Sequence, residues 1–548
     1  MTNNKVQIKE FFLIFFILII GFLFRFNNLN WDENFHLHPD ERFLTMVGNA
    51  IVLPKNIGEY LDPKISKLNP NNINFNFFIY GDFPLILNKY LAVFTGKDNY
   101  NDFTILGRAL SAYFDLLIII LVYKSAKLLF PNKKNVPFWS AFLYAVAVYP
   151  IQAAHFFTVD TFLNFFMFGS FYFALKEKNI LSAVFFGLAL ASKISAIYII
   201  PLILVVFLIK SPKKVFNIFI FFVITYFVLR LASPYYFLNS NLLDPRLNQT
   251  FVTSIKELKS FEGKDIWYPP AVQWMNKPIS FVLINLMLVG VGPPYFILII
   301  IGIYYLISKL NLKSGNFLLF IVFFWVLGYF VYLSFQFVKS IRYTIFLYPF
   351  FAIFAGISID SVLKKIKNKK LFIICNLLFV ILLLIWPLMF SSIYFHKNTR
   401  IEASEWIYKN LPNGSYILSE SWDDSLPLSI NNNYGKRFDG EQLPVFDPDT
   451  SEKWQKMNEL FLKADYYILS SNRGWGSIPT VPEKYPKMSK FYNSLLKNEN
   501  SQYKLIKEFN SYPSLRYLGI PLEFPDQWSD EAFTVFDHQK VIVFERKK

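Results

Sequence analysis

Of 548 residues, 54% are hydrophobic, 20% are aromatic and only 17% carry a charge, where a soluble chain carries about a quarter. The apolar residues run in blocks of about twenty, the length that crosses a bilayer core, so a soluble globular protein is excluded. The net charge of +16 would suit nucleic acid if it followed one face, but residues 1–396 hold 35 Lys and Arg against 18 Asp and Glu, and residues 397–548 hold 20 against 21. The basic excess lies in short loops between apolar runs. That is the positive-inside pattern of a membrane protein, and no nucleic-acid partner is expected. The single cysteine, Cys375, leaves no intrachain disulfide.

The first apolar run, 10–26, follows Lys5 and Lys9, and no small-x-small cleavage site comes after it. It reads as an uncleaved first membrane helix. A long polar segment, 27–104, comes next. Further apolar runs lie near 105–130, 136–154, 157–175, 180–209, 215–237, 279–308, 316–336, 342–360 and 370–392. Basic clusters punctuate them at Lys124/Lys127/Lys133/Lys134, Lys176/Lys178, Lys210/Lys213/Lys214, Lys309/Lys313 and Lys364/Lys365/Lys367/Lys369/Lys370.

If every cluster is cytoplasmic, the stretch between two of them crosses an even number of times. The run 180–209 therefore predicts two short helices meeting near Ala191-Ser192-Lys193, at a break that lines a polar cavity. The expectation is a multi-pass plasma-membrane protein with about eleven transmembrane helices and a cytoplasmic N-terminus. Segments 27–104 and 238–278 then share the outer side with the C-terminal part.

The chain divides into a membrane domain, 1–396, and an extracytoplasmic domain, 397–548. In the latter, Ala403–Leu411 predicts a helix, and Tyr416–Ser419 and Tyr466–Ser470 predict strands. Phe533–Phe536 and Val541–Phe544 predict a hairpin around Asp537-His538-Gln539-Lys540. The pattern is that of a small soluble α/β domain.

Four carboxylates and two histidines fall within ten residues of the first outer segment: Asp32-Glu33, His36, His38, and Asp40-Glu41. A carboxylate at the membrane surface can serve as general base for a hydroxyl acceptor, and Asp40, with Glu41 beside it, is the candidate. Asp40 equally fits an N-cap before Phe43, Val47 and Ile51, while Asp32 and Glu33 fit solvated loop charges. His36, His38 and Asp40 alternate, so an extended segment could turn them onto a divalent metal. No second His or Cys cluster supports this, and no metal ligand set is assigned.

Cations at the edges of membrane runs are costly and mark phosphate or substrate contacts, or else snorkel to the interface. They are Arg108, Lys193, Arg230, Lys339 and Arg342, the last followed by Tyr343. Lys193 and Arg342 are the expected holders of a lipid phosphate at the outer leaflet. His155 and Asp160 share an outer turn, as a polar pair at a cavity wall or as a helix cap. Asp82, in Tyr80-Gly81-Asp82-Phe83-Pro84, is a second outer-loop acid or part of a turn. Asp537-His538 reads as structural. No P-loop, dinucleotide glycine motif or nucleophilic serine elbow is present.

Taken in order over residues 10–390, these motifs resemble the GT-C glycosyltransferases that use a polyprenyl-phosphate sugar, among them protein O-mannosyltransferases and the lipid A aminoarabinose transferase. The resemblance is carried by Asp40-Glu41, Asp82-Phe83-Pro84-Leu85, Arg108-x-x-Ser111, His155-x-x-x-x-Asp160, Lys193 and Arg342-Tyr343. It implies that Asp40 orients or deprotonates an acceptor that attacks the anomeric carbon with inversion. Polyprenyl phosphate then leaves, stabilised by Lys193 and Arg342. Asp32-Glu33 stands as a second Asp-Glu pair eight residues upstream.

The implied partners are the lipid-linked sugar, membrane lipids, and an acceptor that is protein, lipid or glycan. The alternatives are an oligosaccharide ligase using a diphosphate carrier, and a lipid or glycan transporter or flippase. No inverted repeat favours transport.

Overall fold

The structure, a computed structural model, describes residues 2–210, 214–308 and 317–547; Lys213, Lys309 and Lys313 of the basic clusters lie outside them. Among the described residues, five helices are long and apolar enough to cross a membrane alone, Tyr100–Leu129, Lys214–Ala232 and Phe317–Phe335 among them. Two bent pairs reach that length together: Val136–Ala145 with Val148–Ala154, turned by 53°, and Phe281–Gly290 with Pro293–Ser308, turned by 118°.

Lys214–Ala232 exposes Phe216, Phe219, Phe222 and Phe227, and the leading helix Thr2–Phe26 exposes Phe11, Phe12, Phe15 and Phe16. Faces this apolar are unfavourable in water and stable against acyl chains. The chain is a multi-pass membrane protein. Ile341–Leu363 lies at its centre, with 89% of its most apolar stretch buried against 22% for Lys214–Ala232. A side chain at Gly302 would put a Cβ 1.8 Å from the Phe354 carbonyl oxygen, so glycine permits the close approach of Pro293–Ser308 to this central helix.

The break expected near Ala191–Lys193 is present. Helix Asn179–Ser192 ends at Lys193, whose backbone is extended (φ −163°, ψ 133°), and a 3₁₀ turn, Ile194–Ile199, leads into Ile200–Lys210. At 1.5 Å per residue each helix is much shorter than the ~30 Å bilayer core. Protein supplies partners for the interrupted backbone. The Ser192 carbonyl accepts from Gly81 N–H at 3.1 Å, and the Ala191 carbonyl from Ser233 Oγ at 3.2 Å. A Cβ on Gly81 would stand 2.1 Å from the Ala191 oxygen, so glycine is required where the outer loop meets the break.

The C-terminal sheet has five strands: β1 Tyr416–Glu420, β2 Asp439–Leu443, β3 Tyr466–Leu469, β4 Tyr503–Phe509 and β5 Val541–Arg546. Their order is β2-β1-β3-β5-β4, with β1 parallel to β2 and β3, and β5 antiparallel to β3 and β4. Successive residues point to opposite faces. Ile417, Ile468 and Val543 meet helix Thr399–Asn410, while Leu418, Tyr467 and Phe544 meet helices Ser451–Lys463 and Pro486–Leu496.

The hairpin expected from Phe533–Phe536 to Val541–Phe544 does not form. Glu531–Thr534 is a short helix capped by Asp530, and its Phe533 packs on Phe390 of the membrane part. Val541–Arg546 is a central strand buried on both faces, so it pairs with β3 and β4 instead. Leu515, Phe524, Phe533 and Phe536 all join the membrane-domain core.

Candidate active site

Helix Pro39–Ala50 presents Asp40 at the site. Its N-cap is His38, whose Nδ1 accepts from Glu41 N–H at 3.3 Å, so Asp40 is not the cap that its sequence position also suited. Asp40 sits in the first turn, where the helix dipole favours a carboxylate.

From Asp40 a chain of alternating charges runs through four separate parts of the sequence. Arg342 donates through Nη1 to Asp40 Oδ2, and through Nε to Asp160 Oδ2 at 2.7 Å. Lys193 Nζ donates to Asp160 Oδ1 at 2.8 Å and lies 5.3 Å over the Tyr343 ring. Asp160 begins helix Val159–Leu175, Lys193 is the helix break, and Arg342 and Tyr343 belong to the 3₁₀ segment Ile341–Leu347. The Asp40 side chain is 27% exposed and Arg342 21%, so the pair faces an opening, while Asp160 at 4% anchors both cations from below. Burial alone would raise the Asp40 carboxyl, but the Arg342 guanidinium holds it below the ordinary carboxylate value. Burial drives His38 down to about 3, which keeps its ring neutral beside the carboxylate.

Asp32, of the second Asp-Glu pair, is separated from this opening, while Glu33 beside it is exposed. Arg108 donates to both oxygens of Asp32, at 3.0 and 2.8 Å, and to both of Glu41; Phe157 N–H donates to Glu41 at 2.7 Å. The side chains are 0–1% exposed, and Arg108 lies 4.8 Å over the Trp31 ring. Asp32 is therefore no solvated loop charge, and Glu41 and Arg108 are sealed from solvent within the cluster. They lock the start of helix Pro39–Ala50 onto Tyr100–Leu129, and so fix Asp40.

His36, His38 and Asp40 do not converge. His36 bonds Asn101 and Thr104, His38 caps its helix, and Asp40 faces Arg342. Among the described residues no three His, Cys, Asp or Glu side chains are grouped to hold a metal ion.

The other expected residues take different places. His155 stacks on Tyr394 at 3.8 Å, with both ring nitrogens on the carbonyls of Ile151 and Asn27, a closed structural contact. Asp82 is buried behind the helix break, where burial pushes its carboxyl up to about 7 and Oδ2 has no hydrogen-bond partner among the described residues. Arg230 donates to the carbonyls of Asn239 and Asn241 and lies over Phe237, with no partner from the Asp40 cluster. Lys339 is half-buried near Lys264, three residues from Arg342, and pairs with no carboxylate among the described residues.

Sequence reasoning missed the contribution of the C-terminal domain. Asp530 Oδ2 accepts from Ser340 Oγ at 2.8 Å and Ile341 N–H at 2.6 Å, which anchors the segment that carries Arg342. Phe536 packs on His38 with the ring centroids 4.0 Å apart and the planes tilted by 40°. Only the apolar residues around Asp530 hinted at burial, and no local signal pointed 189 residues back to Ile341.

The pattern of the family described as dolichyl-phosphate-mannose-protein mannosyltransferase matches residues 101–237, which include Arg108, Asp160 and Lys193. Two structures of the archaeal oligosaccharyltransferase from Archaeoglobus fulgidus, one with zinc and sulfate and one with an inhibitory peptide and a dolichol-phosphate, align at TM-score 0.54 and 12% identity. They cover 97% and 98% of this chain and 88% of theirs. The chain has the GT-C fold. A looser likeness, TM-score 0.47 at 13% identity over 98% of both chains, is to ArnT from Cupriavidus metallidurans. The comparison with curated proteins finds no match in sequence.

Proposed function

We propose that the protein is an inverting membrane glycosyltransferase that moves a sugar from a polyprenyl-phosphate donor to an acceptor outside the cytoplasm. One observation carries the reading: in a GT-C fold, an accessible carboxylate, Asp40, shares one opening with two cations, Arg342 and Lys193, at a helix break. An oligosaccharyltransferase of this fold binds a dolichol-phosphate, which supports a lipid phosphate at the cations.

In this reading Asp40 accepts the proton of the acceptor hydroxyl as its oxygen bonds to the anomeric carbon. The bond from that carbon to the phosphate oxygen breaks, and its electron pair leaves with the polyprenyl phosphate. Arg342 and Lys193 stabilise the charge that develops there, and fixed cations in a partly dry site do so with little reorganisation. Asp160 holds both cations in position. Because Arg342 keeps Asp40 below the ordinary carboxylate value, the base is ionised across the neutral range. The basic excess of residues 1–396 supports a cytoplasmic N-terminus, with the Asp40 opening and the C-terminal domain on the other side.

The test is transfer by purified protein in lipid, with labelled polyprenyl-phosphate and polyprenyl-diphosphate sugars offered to cell-envelope acceptors. The expected result is consumption of a monophosphate donor, lost in Asp40→Asn while donor binding persists. Consumption of diphosphate donors alone would replace the reading with a ligase, and glycan movement without transfer would replace it with a transporter.

A further inference from the structure

The C-terminal domain brings a second set of side chains to the mouth of the site, reached from Asp40 through His38 and not through Arg342. Phe536 packs against His38 at a tilt, Arg473 lies 5.9 Å over the Phe536 ring, and Arg473 Nη1 donates to the Trp422 carbonyl at 2.7 Å. Trp422 then meets Tyr268 at 5.9 Å and Trp267 at 6.3 Å, both edge-on. Tyr268 is near enough to Asp40 that the carboxylate adds to burial in raising the phenol. A continuous wall therefore runs from the cap of the Asp40 helix to two indoles.

Two observations separate this wall from ordinary surface aromatics. The backbone of Trp422 has φ +71°, a left-handed conformation that is strained for a bulky residue and that clusters at functional sites. Packing gives little in return, since the Trp422 side chain stays 45% exposed and Trp267 53%. Fixed charges also stand at the rim. Arg42, two residues past Asp40, donates to Asp424 Oδ1 at 2.8 Å, and both side chains remain partly exposed. Open indole faces beside a carboxylate and a guanidinium match the two faces of a hexose. Its C–H surface stacks on the rings, and its hydroxyls bond the charged groups.

We propose that Trp422, Trp267 and Tyr268 form a platform for a sugar ring of a glycan acceptor, which presents that acceptor's hydroxyl to Asp40. The proposal rests on the glycosyltransferase reading and names its acceptor class. The donor sugar is tied to a phosphate on the Arg342–Lys193 side of Asp40, so the ring on the indoles belongs to the acceptor. A peptide would need main-chain partners, whereas the groups at this rim are side-chain charges suited to hydroxyls.

The test is saturation-transfer NMR on the full-length protein in nanodiscs, with free cellotetraose, chitotetraose and mannotetraose, and a proline-rich peptide as competitor class. At least one tetrasaccharide binds at millimolar concentration, and Trp267→Ala and Trp422→Gly each weaken it about tenfold, the loss of one good stacking contact. Trp422→Gly also relieves the left-handed backbone, so its unfolding temperature does not fall below wild type. Tetrasaccharide binding that both variants leave intact, no tetrasaccharide binding, or peptide binding lost with the same substitutions would each overturn the platform.

In transfer assays Trp267→Ala raises the acceptor KM and leaves the donor KM unchanged; the reverse would overturn the acceptor assignment. Sugar binding through the indoles with no donor consumed would remove the glycosyltransferase reading and leave a glycan-binding platform.

Discussion

Asp40 and Glu41 are neighbours in sequence and enter opposite environments. Glu41 shares Arg108 with Asp32 in a cluster that is 0–1% exposed, with every carboxylate oxygen bonded by the guanidinium. Asp40 shares Arg342 with Asp160 at an opening where carboxylate and guanidinium are 27% and 21% exposed. Both are one arginine between two acids. In the sealed cluster removing a partner strands a buried charge, so the chief effect is on folding. In the open one the charges face space that a substrate can enter, so the chief effect is on reaction.

Neutralising one charged side chain in each cluster breaks this comparison most sharply. Asp40→Asn should lower the transfer rate by roughly 10²–10⁴-fold, the usual worth of a general base, with unfolding temperature nearly unchanged. Arg108→Met should do the reverse. It leaves Asp32 and Glu41 buried without their cation, at a cost of about 3–5 kcal/mol, read as a large fall in the thermal midpoint. In the fraction that stays folded, transfer should fall far less than in Asp40→Asn, since Arg108 only positions the helix that carries Asp40. Equal losses of activity without unfolding in both variants would dissolve the distinction.

Arg342→Met sharpens the comparison through pH. In the native protein burial pushes the Asp40 carboxyl up and Arg342 overrides it, so the carboxyl titrates below its ordinary value of about 3.9. A carboxylate with a depressed pKa is ionised, and contributes stability, above that ordinary value; both fade as pH falls through the lower native one. Without the guanidinium the largest influence left is the upward push of burial, joined by the like charge of Asp160 and opposed only by His38. The acid limb of the residual pH–rate profile should therefore move to higher pH. An unmoved limb would mean that Asp40 is not the group that titrates.

The sequence carried much of this because some features have local causes. Charge parity forced a break in 180–209, and the backbone leaves the helix at Lys193, inside the three residues named. Asp40, Asp160, Lys193 and Arg342 stood out because charges at apolar edges need a reason. Their mutual pairing did not, since the contacts span up to 302 residues. The sealing of Glu41 was also hidden: one position along a helix turns a side chain by about 100°, and only tertiary packing decides which face Arg108 meets. The final hairpin failed for a related reason. Phe533-Thr534-Val535-Phe536 has a strand-like composition, but its two Phe residues stand three apart, a helical spacing, and the membrane-domain core buries them better than an edge strand would.

Lys339 should give the smallest effect and tests how far the open cluster's field extends. It lies three residues before Arg342, half-buried, where burial and then the like charge of Lys264 lower its pKa. A cation held beside another cation, without a carboxylate among the described residues, contributes little to folding and is placed to attract an anion. Lys339→Gln should raise the KM for a polyprenyl-phosphate donor about threefold at low salt and by less at higher salt, because partly exposed charges are screened over ~10 Å. Removing the repulsion should leave the unfolding temperature level or slightly higher. A fall in stability with no change in donor KM would place Lys339 with the sealed, structural charges and restrict phosphate recognition to Arg342 and Lys193.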